Sequence, residues 1–352
     1  MTALAVAPPS IAAAQPSGKR RHIPAGENRA GWMFATPFLV LYMLFLIGPV
    51  IVGVVISLFN TTTVRSGLGD YVGMSNYADV LSSGDFWASM WHSTFFALMT
   101  TPLLVLLPLV FAIFVSRIVR NQWFFRLAFF APYVVPSSAV CLIFGFMYTP
   151  ETGLITSAFG WVGLPAPNFL GSTDGAWLAV VILTVWWTFG FNFILYTAAI
   201  QDVSEEVYEA AAIDGATPWQ QIRLITVPLL KPTISLIVIL QVLASLKVFD
   251  QIYILLAGGP NGSTRTVIQY IYDTGFTSYR GGYASAATMV YFVMLVAISV
   301  GWLLFRRSRD RANAREISAA SSDTPSTGPT TGTPVGVPDS LSTPTSAPAG
   351  TA

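Results

Sequence analysis

Six stretches of this chain are each long and apolar enough to cross a lipid bilayer, and no other feature narrows its fold as far. They are Trp32 to Phe59, Phe86 to Val115, Leu127 to Tyr148, Trp177 to Ile200, Ile234 to Leu256 and Tyr283 to Phe305. A hydrocarbon core about 30 Å thick takes about 20 helical residues to span, and inside it every backbone N–H and C=O must find a partner within the protein. The expected fold is all-α: a polytopic membrane protein with six transmembrane helices. Composition agrees, because 53% hydrophobic and 10% charged residues with a mean hydropathy of +0.62 lie far from soluble averages. The first run reads as a retained span, since its apolar core is too long for a cleaved leader and no small-residue cleavage site follows. The single cysteine, Cys141, sits inside an apolar run, so no intrachain disulfide forms and the compartment cannot be read from cysteines. A net charge of +1 implies no nucleic-acid partner, and no internal repeat is visible.

The positions of the charges orient the spans. Lys and Arg are retained on the cytoplasmic side of short loops, and 14 of the 18 fall on one side. They are Lys19, Arg20, Arg21 and Arg29, then Arg117, Arg120 and Arg126, then Arg223 and Lys231, then Arg306, Arg307, Arg309, Arg311 and Arg315. Arg65, Arg265 and Arg280 fall on the other. Both termini are expected in the cytoplasm. Residues 1–28 and 316–352 are rich in Ala, Pro, Ser, Thr and Gly, cannot build a core, and are expected to be disordered cytoplasmic tails. The six-span domain then covers residues 29–310 and includes a long cytoplasmic loop, 201–232.

That loop carries more structure than a connection needs. Ser204 is placed to cap a helix with Glu205 and Glu206 in its first turn, where the dipole favours anions. The helix runs to Ile213 or Asp214, and Gly215 supplies the left-handed residue that ends it. Thr217, Pro218 and Gln220 start a second helix as N-cap, first-turn proline and capping-box partner. Trp219, Ile222 and Ile225 or Thr226 recur at helical spacing as an apolar stripe, and Pro228 and Pro232 break the chain before the fifth run. On pattern alone, this helix–turn–helix fits an amphipathic connector lying on lipid as well as a docking element.

Resemblance separates the two. Glu209-Ala210-Ala211, Asp214-Gly215-Ala216 and Val227-Pro228 closely resemble the EAA signature of the membrane subunits of ABC importers, although Ile222 and Val227 stand where that signature more often has Phe and Leu. Tyr71 to Leu81, Phe124 to Ser137 and Leu246 to Thr264 are similar to the carbohydrate-uptake branch, the maltose-, lactose- and glycerol-phosphate-type permeases, and the likeness covers roughly residues 30–305. It implies a type I ABC importer permease fold. It also implies that Glu209, Ala210, Ala211, Asp214, Gly215, Ala216 and Trp219 form coupling helices that sit in a cleft on an ATPase.

The solute path is expected where polar and aromatic side chains face inward on bent or broken spans. Thr184, Trp187, Thr188 and Phe191 share one helical face, Gln241, Ser245 and Val248 share another, and Tyr133 lies one turn from Pro136. Ordinary interhelical packing would also use such residues. By resemblance, these eight positions line up with residues that hold the sugar in maltose-type permeases. Thr188 replaces a glycine there, and Ser245 and Val248 replace asparagines, which argues against maltose itself. Lys247 and Asp250 are oppositely charged within one run and are expected to neutralise each other as a structural or gating pair. His92, near the outer end of the second run, reads as a packing or interfacial residue rather than a metal ligand, because no second His, Cys or acid accompanies it at metal spacing.

The three lysines precede Arg20, Pro232 and Val248, so the chain has no Gly-Lys-Ser/Thr phosphate loop. A nucleotide-hydrolysing engine, with its ATP and magnesium, must reside in another polypeptide, and no cofactor or metal is expected here. By resemblance the chain pairs with a second permease subunit, an ATPase dimer and an extracytoplasmic solute-binding protein in a bacterial cytoplasmic membrane, and carries a carbohydrate by alternating access. An ion-coupled secondary transporter should show a duplicated half and intramembrane coupling residues, and an intramembrane enzyme a catalytic constellation. Neither set is visible.

Overall fold

The structure is a computed structural model that describes residues 25–64, 67–118 and 121–322. Its helices are α1 (Ala25–Tyr42), α2 (Gly48–Ser57), α3 (Ser75–Ser82), α4 (Gly84–Ile118), α5 (Gln122–Val134), α6 (Ser137–Met147), α7 (Leu154–Trp161) and α8 (Thr173–Gln201). They continue with α9 (Glu205–Ile213), α10 (Pro218–Gln221), α11 (Val227–Leu229), α12 (Lys231–Leu246), α13 (Asp250–Leu256), α14 (Val267–Tyr272) and α15 (Gly281–Ser322). Five-residue π-helical turns at Met43–Ile47, Ile222–Thr226 and Asp273–Thr277 complete the helical content. Among the described residues there is no β-strand, only an isolated bridge between Phe59 and Tyr71.

Four segments are long and apolar enough to span alone: Trp32–Ser57, Gly84–Arg117, Thr173–Gln201 and Gly281–Arg309. Two bent pairs raise the number to as many as six: α5 with α6, meeting at 93°, and Pro218–Leu229 with α12, at 62°. The third expected span is thus sharply broken rather than continuous. Pro136 forces Val135 into an extended conformation (φ −72°, ψ 134°) and ends α5 there. The fifth expected span is interrupted as well, since α12 stops at Leu246 and α13 starts only at Asp250, with Phe249 at φ −139°, ψ −63° between them.

Two boundaries differ from expectation. The first helix starts at Ala25, inside the stretch read as a tail, and α15 continues past Arg315 to Ser322. The disorder expected for 1–24 and 323–352 lies outside the described residues, as do Lys19, Arg20, Arg21, Arg65 and Arg120. Contacts divide the chain into Met1–Ser299 and Val300–Ala352, and the described part of the second is the end of α15.

Within Met1–Ser299, α8 is the hub. Its Phe193 and Tyr196 pack with Val105 and Ala112 of α4 and Ile237 of α12; its Leu183 and Ala179 pack with Phe144 and Cys141 of α6; and Val180 meets Phe96 of α4 and Ile252 of α13. Gly190 lets α5 approach this helix closely, because a Cβ there would lie 1.9 Å from the Phe129 carbonyl oxygen. The first span contributes nothing to this core: Trp32–Ser57 has no buried residue in its most apolar window.

Candidate functional site

The breaks in the third and fifth spans face α8 across one cavity of about 320 Å³. Tyr133, Thr184, Trp187, Thr188, Gln241, Ser245 and Val248 all line it, seven of the eight positions expected on the path. Phe191 stands behind this lining and stacks on Tyr133, ring centroids 5.2 Å apart and planes 26° apart. Tyr133 is placed at the cavity because α5 ends one residue later, and it also faces Trp187 at 6.1 Å. The Trp187 indole is fixed by Nε1 donating to the Val135 carbonyl at 3.1 Å, a carbonyl freed by the break itself.

The polar side of the cavity is built by hydrogen bonds between helices. Ser245 Oγ lies 2.9 Å from Thr100 Oγ1 of α4, and Gln241 Nε2 donates to Asn192 Oδ1 at 3.0 Å. Thr188 Oγ1 donates back to the Thr184 carbonyl at 2.6 Å, whereas the buried Thr184 Oγ1 has no partner among the described residues. Aromatic faces together with hydroxyl and amide groups suit a ligand that is apolar on its C–H surfaces and polar at its edges.

The expected Lys247–Asp250 pairing is not formed, although both residues line the cavity. Lys247 is the non-helical residue that closes α12 (φ −90°, ψ 15°), so the i, i+3 geometry that would bring the two together on one helix does not exist. Asp250 instead accepts from Ser137 Oγ at 2.5 Å, tying the start of α13 to the start of α6. Among the described residues the ion pair is Arg265 with Asp85, 3.5 Å. His92 Nδ1 lies 3.0 Å from the Arg265 carbonyl and its ring 6.0 Å from Trp177, a packing environment, and no metal-ligating cluster occurs among the described residues.

The loop forms two helices on either side of a glycine turn. Gly215 adopts φ +81°, and its N–H and that of Ala216 close on Ala212 and Ala211 at 3.0 and 2.9 Å. At α10 the capping box is complete: Thr217 Oγ1 accepts from the Gln220 N–H, and the Gln220 side chain accepts from the Thr217 N–H at 2.7 Å. Ser204 holds the N-cap position of α9 without a side-chain bond. Glu209, Ala210 and Asp214 are exposed, and Ala211 and Ala216 half-buried.

Trp219 does not join the inward stripe, which runs through Gln221, Ile222, Thr226 and Leu230. At 69% exposure it stands outward with Ile213, 87% exposed. Motif reading missed Ile213, and it missed the anchor of the loop: Arg117 at the end of α4 donates to Gln221 Oε1 at 2.9 Å and Thr226 Oγ1 at 3.3 Å and lies over the Tyr208 ring. It missed Asn192 too. A buried asparagine in an apolar span was the available signal for the last.

Residues 72–310 match the family described as binding-protein-dependent transport system inner membrane component. The chain is 32% identical over 283 residues to the trehalose/maltose transport system permease protein MalF of Thermococcus litoralis, spanning 80% of this chain and 95% of that one. It is 32% identical to the multiple sugar-binding transport system permease protein MsmF of Streptococcus mutans, over 77% and 92%, and 29% identical to the lactose transport system permease protein LacF of Rhizobium radiobacter, over 80% and 94%. The fold is similar to that of a bacterial ABC transporter involved in the import of alginate, with a TM-score of 0.72 at 21% identity, covering 80% of this chain and 96% of that one. The chain belongs to the family of inner membrane components of binding-protein-dependent transport systems, and it is a multi-pass membrane permease subunit of an ABC importer.

Proposed function

We propose that this chain carries a carbohydrate through the cavity between its broken third and fifth spans. The observation that supports this most directly is the cavity's composition, with the aromatic Tyr133 and Trp187 lining it together with the polar Thr184, Gln241 and Ser245. Its volume of about 320 Å³ is at the lower end of small-molecule sites, about 300–1,000 Å³. The relatives named for trehalose/maltose, multiple sugars and lactose favour the same class of solute.

The partners belong to the same reading. A second permease subunit covers the exposed apolar spans, a separate ATPase dimer binds and hydrolyses ATP with magnesium, and a solute-binding protein delivers the cargo. A solved alginate transporter is described as a complex with such a periplasmic protein. Both termini face the cytoplasm of a bacterium, which puts α9 and α10 on the ATPase side. Exposed Ile213 and Trp219, with Glu209 and Asp214 beside them, are the groups that enter the ATPase cleft. Closure of the ATPases on ATP then moves this helix pair, and Arg117 passes the motion to α4.

The test is ATP-driven uptake of labelled sugars into vesicles holding the complete transporter. Trp187→Ala, Thr184→Ala and Gln241→Ala are expected to assemble normally and to reduce uptake, the first by removing about 1–3 kcal/mol of ring burial and stacking. Unchanged uptake in all three would remove the cavity from the path.

A further inference from the structure

We propose that Asn192 is a positioning residue that fixes which end of the Gln241 amide faces the solute, a role that rests on reading the cavity as the solute site. The arrangement starts from a proline. Pro108 lies inside α4 and has no N–H, so the Leu104 carbonyl one turn earlier loses its helical donor. Leu104 is 1% exposed, so water does not replace that donor. Asn192, fully buried on α8, fills the gap: its Nδ2 donates to the Leu104 oxygen at 2.8 Å.

From there each orientation follows. A carbonyl oxygen can only accept, so Asn192 must present Nδ2 to α4 and Oδ1 away from it. That oxygen can also only accept, and the group facing it is Gln241 Nε2 on α12, at 3.0 Å. The Gln241 amide is therefore not free to flip. Its Oε1 accepts no hydrogen bond among the described residues and remains for the cavity that Gln241 lines. The cavity thus offers a fixed acceptor at Gln241, and the matching solute presents a donating hydroxyl to Oε1. The relay crosses three helices and is set by Pro108 and Asn192, neither of which is among the residues lining the cavity.

Replacing Asn192 alone leaves the Leu104 carbonyl unpaired and could unfold the site, so the decisive variant is Pro108→Ala/Asn192→Leu. Alanine at 108 restores the N–H that Leu104 needs and makes Asn192 dispensable for pairing. The complete purified transporter is titrated with whichever tritiated sugar wild-type vesicles accumulate fastest among trehalose, maltose, lactose and melibiose, and its thermal midpoint is recorded alongside. The expected result is a midpoint recovered relative to Asn192→Leu, together with a Kd weakened about tenfold, the worth of one oriented hydrogen bond. Gln241→Ala should weaken the Kd to the same extent. If the double variant regains both wild-type midpoint and wild-type Kd while Gln241→Ala stays weak, Asn192 serves only to satisfy α4 and the positioning role is overturned. If Gln241→Ala binds like wild type, or no sugar in the set is accumulated, the solute-site reading falls and the inference falls with it.

Discussion

The guanidinium of Arg117 lies 4.2 Å from the centre of the Tyr208 ring, and so joins the last turn of α4 to the first helix of the loop. The same group bonds Gln221 and Thr226, and the Tyr208 hydroxyl lies 3.1 Å from Thr226 Oγ1. One side chain thereby holds both halves of the loop against a long span. Lysine keeps the charge but has no planar fork to stack on a ring and bond two neighbours at once. Arg117→Lys is expected to assemble and hydrolyse ATP yet lower the sugar carried per ATP several-fold. Arg117→Ala should do so more severely, losing a stacking and two hydrogen-bond contributions of about 1 kcal/mol each. An unchanged ratio of uptake to hydrolysis in both variants would free Arg117 from any part in coupling.

The approach of α5 to α8 depends on Gly190. A Cβ there would meet the Phe129 oxygen at 1.9 Å, the Phe129 carbonyl carbon at 2.5 Å and the Phe130 Cα at 2.7 Å, all backbone atoms that cannot rotate away. Gly190→Ala must push α5 outward and carry Tyr133 with it, at a cost of about 3 kcal/mol, the upper end of overpacking. The purified subunit should show a lowered thermal midpoint. Gly160→Ala is the control, since nothing lies within 4 Å of that position. A Gly190→Ala midpoint equal to the control's would mean that the helices separate without strain.

The Ser137–Asp250 contact, 2.5 Å, pins the break of the third span to the break of the fifth. A hydrogen bond to a carboxylate contributes about 1.5–3 kcal/mol, and Asn can still accept where Leu cannot. Asp250→Leu and Ser137→Ala should therefore lower the midpoint together, non-additively, with Asp250→Asn much closer to wild type. Additive losses in the double variant would show that the two residues act separately.

How much of this was legible in the sequence differs by length scale. Apolar runs of about 20 residues locate spans because lipid imposes the length, and the loop reads down to its capping box because a cap is a contact between residues three apart. The failures have a shared cause. Lys247 and Asp250 were paired on the assumption of a continuous helix, and the break at 247–249 removes it. Periodicity groups Trp219 with Ile222 and Thr226 in one apolar stripe without saying which way it faces, and the π-helical turn at Ile222–Thr226 shifts the helical phase just after Trp219, which stays exposed while Thr226 is buried. Asn192 was passed over because its partner is a backbone carbonyl 88 positions away, available only because of a proline. Local chemistry is written locally, and the cavity's hydrogen bonds are not.

Gly215 gives the sharpest separation of folding from coupling. Its φ of +81° is a conformation that side chains rarely adopt, yet a Cβ there would meet no atom within 4 Å. Substitution is therefore strained by backbone conformation alone. A β-branched residue costs about 1–2 kcal/mol in this region, and the chain relieves it by changing the angle between α9 and α10 rather than by disturbing any packed core. Gly215→Val is expected to insert with its spans intact and keep its thermal midpoint, while uptake and solute-stimulated ATP hydrolysis fail together or the ATPase is lost on purification. Gly215→Asn should retain much of both, because asparagine tolerates the left-handed region. In the wild-type background, Ala216→Cys should cross-link to the ATPase, the buried native Cys141 being out of reach. Normal uptake by Gly215→Val, with no cross-link from Ala216→Cys, would make the loop a surface connector and remove the ATPase contact from this helix pair.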